Sequence, residues 1–147
     1  MRVARTRLLT IALVSTVLLA SVGPSLAATV DVVAIVAAGS PVPKLTRAQV
    51  ADIFLGRTSR LPDGPTVVPL DQPEGSTTRD VFYEEFTDKS AAQVKAHWSK
   101  IIFTGRGRPP AEVADGAEAK RRVKSDRNAI AYVDRRLVDD SVRIVSP

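Results

Sequence analysis

The chain has 147 residues, a length that suits one domain able to bury a real core. It contains no cysteine, which excludes disulfide bonds and cysteine-ligated zinc. The formal net charge is +5, but three arginines lie within the first seven residues, and the remaining 18 basic and 16 acidic residues give only +2, a balance typical of an ordinary solvated surface rather than of a nucleic-acid-binding protein.

The N-terminal segment has the pattern of an export signal. The early arginines are followed by an apolar run over residues 8–22 and by a small-x-small cleavage site at residues 25–27. The run of about 15 residues is shorter than the roughly 20 that a membrane span needs, so cleavage is favoured over a retained anchor. The sequence therefore predicts a signal peptide over residues 1–27, one domain over residues 28–147, no stable membrane span after cleavage, and a periplasmic or secreted location.

Strand and helix patterns alternate in the first half of the predicted domain. Residues 29–37 form a β-branched run typical of a strand that is covered on both faces. The next pattern is a helix with one apolar face that opens at Thr46 and stops at Gly56. A turn at residues 61–65 leads into a short buried strand over residues 66–70.

The second half continues the alternation. Helix patterns start at Ser76, Ser90 and Asp115, the last two with capping-box spacing, and strands are predicted over residues 129–133 and, as an edge strand, over residues 141–145. The residues expected to face the core from the first two of these helices are Val81, Phe82, Phe86, Val94, Trp98, Ile101 and Ile102. This order predicts an α/β fold, a single three-layer lobe with a mixed, mostly parallel sheet and helices on both faces.

The strongest functional signal lies where a predicted strand turns into a helix. The first N–H groups of a helix have no intrahelical partner and carry partial positive charge, so they favour oxyanions, and an arginine in the first turn adds a charged fork. The residues predicted to bind a small oxyanion are Gly75, Ser76, Thr77, Thr78 and Arg79. The alternative is that Ser76 simply caps its own helix.

The Gly- and Arg-rich segment over residues 106–109 has three interpretations. Arg106 is a possible rim residue of the anion site, and a plain connector between elements is the alternative. An Arg-Gly-Arg-Pro core also resembles peptides that enter the DNA minor groove, but the near-neutral mature charge and the single copy argue against nucleic acid as a partner.

No catalytic residue, metal site or cofactor is predicted. Ser76 has neither a neighbouring base nor a nucleophile elbow, and the adjacent Glu84 and Glu85 point about 100° apart on a helix. His97 is the only histidine and has no second ligand nearby in the sequence. The sequence therefore favours a protein that is not an enzyme.

Segments spread over nearly the whole mature chain resemble one family. They are residues 45–57, the Glu74-Gly75-Ser76 turn, Arg79, Phe82, Trp98, residues 103–107 and residues 129–134. Such segments occur in the same order in small exported proteins named as phosphate ABC transporter substrate-binding proteins, which are similar to one lobe of the type II periplasmic phosphate-binding protein. Their order and spacing, rather than any one segment, carry the resemblance.

The resemblance implies a lobe whose two-lobed relatives hold phosphate in a cleft, through hydroxyls and N–H groups at a helix start plus one arginine. By position, Gly75, Ser76 and Thr77 match that family's Ser-Gly-Thr turn, although the first two residues stand in the reverse order.

Two further positions depart from the family. Asp71 stands where the larger proteins carry the phosphate-binding arginine, and Ala131 replaces the glycine that usually precedes Tyr132. Asp71 would repel a phosphate dianion by about 1 to 4 kcal/mol, depending on burial, unless Arg79 or Arg106 offsets it.

The leading hypothesis is an exported solute-binding-like protein that binds phosphate or a similar oxyanion and works with an ABC permease or another envelope protein in phosphate uptake. The alternative is an envelope interaction or accessory module that keeps the fold without tight ligand binding.

Overall fold

The structure is a computed structural model that describes residues 29–147, so the predicted signal peptide over residues 1–27 lies outside the described residues. Along residues 29–147 no helix has both the length and the apolar character that crossing a membrane requires.

Strands and helices alternate along the described chain. The strands are β1 (Val32–Ala37), β2 (Val68–Asp71), β3 (Ala111–Glu112), β4 (Ala129–Asp134) and β5 (Val142–Ser146). The helices are α1 (Arg47–Phe54), α2 (Thr77–Thr87), α3 (Ala91–Phe103) and α4 (Gly116–Ser125), and a short 3-10 helix (Arg135–Leu137) follows β4.

The strands form one sheet in the order β3-β2-β4-β1-β5. β2 pairs in parallel with β3 and β4, whereas β1 runs antiparallel to both β4 and β5. The mixed α/β sheet is confirmed, but only its β3-β2-β4 half is parallel. Alternation of strands and helices does not reveal strand direction, and β1 enters the sheet between two strands that run against it.

Both faces of β1 are buried, as its apolar run predicts. Val32, Ala34 and Val36 belong to one core, and the alternating residues Val33 and Ile35 belong to the other. This period-two division of a continuously apolar strand is possible only because helices cover the sheet on both sides. The predicted three-layer arrangement is therefore present.

The larger core lies under α1, α2 and α3. Phe54 from α1 and Phe82 from α2 are fully buried, with their ring centroids 4.7 Å apart, and Phe82 also stacks on Tyr132 of β4 at 3.9 Å. Burying each of these rings contributes about 1.5 to 3 kcal/mol. The smaller core lies under α4, which contributes Ala119 and Val123.

Some sequence expectations differ from the structure in detail. β3 was not predicted, because two residues are too few to give a strand pattern. Val68, in the predicted buried strand, is 43% exposed, and Ile102, in the predicted apolar stripe, is 55% exposed. The last turn of α3 extends beyond the core, and helical periodicity alone cannot tell where the covering layer ends.

Two helices end in the same way, at a glycine with positive φ. Gly56 after α1 (φ 69°) and Gly105 after α3 (φ 65°) each donate to the carbonyl three residues earlier, and the following residue donates to the carbonyl five residues earlier. These are the two hydrogen bonds of the Schellman motif. The glycines differ in their surroundings: a Cβ on Gly56 would lie 2.7 Å from Cη2 of Trp98, whereas a Cβ on Gly105 would meet nothing within 4 Å.

We therefore expect Gly56→Ala to lower the free energy of unfolding by about 2 to 4 kcal/mol, because left-handed backbone strain adds to a clash with the indole ring. Gly105→Ala is the matched control, with backbone strain only and a loss of about 1 to 2 kcal/mol. Urea unfolding of the two variants measures the difference. Equal losses would show that Trp98 does not press on Gly56.

Candidate functional site

A buried carboxylate lies at the carboxyl end of β2. Asp71 is the last residue of this strand, and its side chain is 8% exposed. One of its oxygens accepts hydrogen bonds from the Tyr132 hydroxyl and, at 2.9 Å, from the Gln72 N–H. The other accepts from the Tyr83 hydroxyl at 2.9 Å and from Nε of Arg79 at 3.3 Å. Four donors therefore converge on one side chain.

The two tyrosines reach Asp71 from different elements. Tyr83 lies on α2 and Tyr132 on β4, and both are fully buried. Burial first, and then the negative charge of Asp71, raise the pKa of each tyrosine above its ordinary value, since ionisation would place a phenolate beside a carboxylate away from water. Both hydroxyls therefore remain donors far into the alkaline range.

Arg79 is the cation of this cluster. It lies in the first turn of α2, and its guanidinium carbon is 5.0 Å from the centroid of the Tyr83 ring. Burial is the largest influence on the pKa of Arg79 and lowers it, but Asp71, Tyr83 and Tyr132 together raise the pKa above its ordinary value. The Arg79 side chain is 7% exposed, and its two Nη nitrogens make no hydrogen bond within residues 29–147.

The Ser76 hydroxyl is already used inside the protein. It accepts a hydrogen bond from the Arg79 N–H at 3.4 Å as the N-cap of α2, and it donates to Oε1 of Gln72 at 3.0 Å. Gln72 in turn donates to the Tyr132 carbonyl at 3.2 Å, which ties the turn to β4. The capping alternative therefore describes this hydroxyl, which holds the start of α2 on the sheet.

The start of α2 keeps free backbone donors beside this cap. Gly75 is exposed and has φ 87°, and nothing would lie within 4 Å of a Cβ added to it. The N–H groups of Thr77 and Thr78 have no backbone or side-chain acceptor within residues 29–147. They are among the N–H groups that every helix start leaves unpaired.

A cavity of about 310 Å³ lies beside the Asp71 cluster. The charged residues that line it are Asp71, Glu74, Arg79, Lys95 and Glu112, and its less polar lining residues include Trp98, Ile102, Pro109 and Pro110. Lys95 pairs with Glu74 at 2.9 Å, and Arg79 pairs with Asp71. Three carboxylates and two cations thus surround the cavity, and Glu112 has no ion-pair partner within residues 29–147.

The structure divides the residues predicted to bind an oxyanion into two groups. Arg79 lines the cavity. The residues at the adjoining helix start, outside the cavity wall, are Gly75, Ser76, Thr77 and Thr78. Arg106 is exposed in the loop after α3 and also lies outside the wall.

Sequence reasoning missed the residues that surround the carboxylate. Tyr83 was detectable in principle, because it lies four residues after Arg79 and so on the same face of α2. Tyr132 and Glu112 come from β4 and β3, far from Asp71 in the sequence, and only strand pairing brings them close. Within residues 29–147, no three His, Asp or Glu side chains are arranged to hold a metal ion.

Comparison with known proteins finds similarity at the level of structure. No protein-family model and no curated protein matches the sequence. A phosphate ABC transporter substrate-binding protein with bound phosphate from Clostridium perfringens is 27% identical, with a TM-score of 0.60. An ABC-type phosphate transport receptor from Vibrio cholerae is 22% identical with a TM-score of 0.59, and PstS from Borrelia burgdorferi is 12% identical with a TM-score of 0.55.

Each of these similarities covers 78% of the present chain but only 43%, 44% and 46% of the other chains, respectively. The chain therefore spans less than half the length of the solved structures that it matches. The resemblance to phosphate ABC transporter substrate-binding proteins is confirmed, and so is the α/β fold class, for a part of such a protein.

The tyrosine environment gives a testable alkaline transition. The chain contains two tyrosines, Tyr83 and Tyr132, and both have a raised pKa in the folded protein. Unfolded tyrosine releases its proton near pH 10, so above about pH 10 the folded state holds two more protons, and the free energy of unfolding falls by about 2.7 kcal/mol per pH unit.

We expect tyrosinate absorbance and loss of circular dichroism to appear together in one alkaline transition. Tyr83→Phe removes one of the two protons and should halve the slope of stability against pH. A tyrosinate signal that develops with an ordinary midpoint while the protein stays folded would contradict this arrangement.

Proposed function

We propose that the protein is an exported, single-lobe solute-binding protein that binds phosphate or a similar oxyanion for ABC-type phosphate uptake. The observation that carries the proposal is the state of Arg79, which lines a cavity beside a helix start, is held at Nε by Asp71 and has no hydrogen-bond partner at either Nη within residues 29–147. An immobilised guanidinium with two free donors is suited to bidentate binding of an oxyanion.

The start of α2 adds a second favourable element to this site. The partial positive charge of the helix start and the free N–H groups of Thr77 and Thr78 favour an anion near Arg79. The phosphate-bound structure from Clostridium perfringens, at 27% identity, supports phosphate as the first ligand to test. A permease or another envelope protein is the proposed partner, and the periplasm or the exterior is the proposed location.

The same site limits the affinity that we expect. The favourable contacts expected there are those of one guanidinium and of the start of one helix. The three carboxylates around the cavity oppose an anion as well. The proposed role is therefore reversible, weak binding, without catalysis, and the similar solved structures are transport proteins rather than enzymes.

Isothermal titration with phosphate and with sulfate tests this proposal. We expect a dissociation constant on the order of 0.1 to 10 mM for phosphate. Arg79→Gln should weaken binding about tenfold or more, because it removes the charged fork. Arg106→Gln is the matched control, since Arg106 lies outside the cavity wall, and it should bind like the wild type. Failure of phosphate to bind at 10 mM, or unchanged binding by Arg79→Gln in its folded state, would refute the proposal.

An interaction module is the second candidate, and the end of α3 favours it. Phe103 is 94% exposed and Ile102 is 55% exposed. Lys100, Arg106 and Arg108 flank them, and no acidic residue occurs from residue 98 to residue 111. An apolar, cationic end of a helix is suited to an acidic protein surface with an apolar pocket.

For this candidate, we expect a stoichiometric partner to be recovered from envelope extract by the wild type and lost with Phe103→Ser. Leu137→Ser is the control, because Leu137 is a partly exposed apolar residue on the 3-10 helix. Loss of the partner with both variants, or with neither, would remove the end of α3 as the docking surface.

A further inference from the structure

The carboxylate of Asp71 is surrounded as a bound oxyanion would be. It accepts one bond from a guanidinium, two from tyrosine hydroxyls and one from a backbone N–H. These donors come from three parts of the fold: the turn after β2, the helix α2 and the strand β4. Charged and neutral donors that converge on one buried point form the usual surroundings of a bound anion.

Asp134 shows that this arrangement is particular to Asp71. Asp134 also ends a strand, is buried and pairs with an arginine, Arg136. However, the Arg136 side chain is 73% exposed, and Asp134 otherwise caps the 3-10 helix by accepting from the Arg136 N–H at 2.9 Å. No tyrosine hydroxyl bonds to Asp134 within the described residues. It is an ordinary capping aspartate and a natural control.

We infer that Asp71 determines the anion selectivity of the cavity that Arg79 lines. Its carboxylate occupies the buried donors that an anion would otherwise use, and its charge cancels that of Arg79. The inference concerns the cavity of the proposed function and rests on it for the identity of the ligand. It specifies the ligand class: the wild-type site disfavours dianions such as sulfate and the doubly charged form of phosphate more than it disfavours monoanions.

The charges around the cavity give the direction of this effect. With Asp71 ionised, three carboxylates face two cations. Loss of the Asp71 charge leaves the charges of Glu74 and Glu112 against those of Arg79 and Lys95, so the wall becomes neutral. A dianion gains twice as much as a monoanion from that change, because Coulomb energy scales with ligand charge.

Asp71→Asn is the central variant, because it removes the charge while it keeps the size of the side chain and one acceptor oxygen. We expect it to bind sulfate at least about tenfold more tightly than the wild type, and formate with a smaller gain. Asp134→Asn should leave both affinities unchanged. Asp71→Asn combined with Arg79→Gln should lose the gain, since the released guanidinium is its source.

The outcomes separate this inference from the proposed function. If the wild type binds phosphate and Asp71→Asn binds sulfate no more tightly, the inference fails and the proposed function stands. If the wild type binds neither anion and Asp71→Asn binds sulfate, the proposed function fails and Asp71 is confirmed as the excluding residue. If neither protein binds phosphate or sulfate, both fail. An equal gain with Asp134→Asn would also overturn the inference, because it would indicate a general charge effect.

Asp71→Ala with added formate supplies a test that does not depend on the folding of Asp71→Asn. Alanine leaves the space of one carboxylate among the donors, so formate should restore the missing anion. We expect the thermal midpoint of this variant to rise by about 5 °C for each tenfold increase in formate above its dissociation constant, at constant ionic strength. Asp134→Ala should not respond. Failure of formate to stabilise or refold Asp71→Ala would overturn the inference.

Discussion

The fold depends on the compensation of a single buried carboxylate. Asp71 lies at the end of β2, where its charge must be compensated, and the compensation comes from α2, from β4 and from the turn between β2 and α2. A buried charge that loses its partner typically costs 3 to 5 kcal/mol, roughly half the stability of an ordinary domain. Docking of α2 on the sheet and burial of Asp71 are therefore one event.

The apolar core and the site share side chains, so neither can be changed alone. Tyr132 donates to Asp71 at its hydroxyl end and stacks on Phe82 through its ring. Trp98 lines the cavity on one side, and its six-membered ring packs over Gly56 at the end of α1. A substitution that shifts α1 or the aromatic stack will therefore also move a wall of the cavity.

The sequence predicts most of the fold because its local signals are consistent. The buried pattern of β1, the helix start at Thr46, the capping box at Ser90 and the glycine that ends α1 all give the expected elements. The antiparallel placement of β1 and the two-residue β3 depend on pairing between distant segments, which a local pattern does not contain. The site was less predictable for the same reason: local reasoning found Arg79 and the helix start, but the state of Arg79 depends on Tyr132 and Asp71, which only the sheet brings together.

The similarity to phosphate-binding proteins supports the architecture of this chain more strongly than it supports a particular ligand. A helix start and an arginine at the carboxyl end of a strand provide a position where an anion can lie, but the net charge around that position decides which anion is stable there. In this chain Asp71 supplies the nearest negative charge. The donors that a ligand would use compensate the burial of Asp71 instead. Asp71 holds Nε of Arg79, and an anion bound as we propose would take the Nη groups, so on this proposal the choice of ligand is a competition between an internal and an external anion for one guanidinium. The proposed selectivity would therefore let the fold be retained while the ligand changes, through one residue at the end of β2.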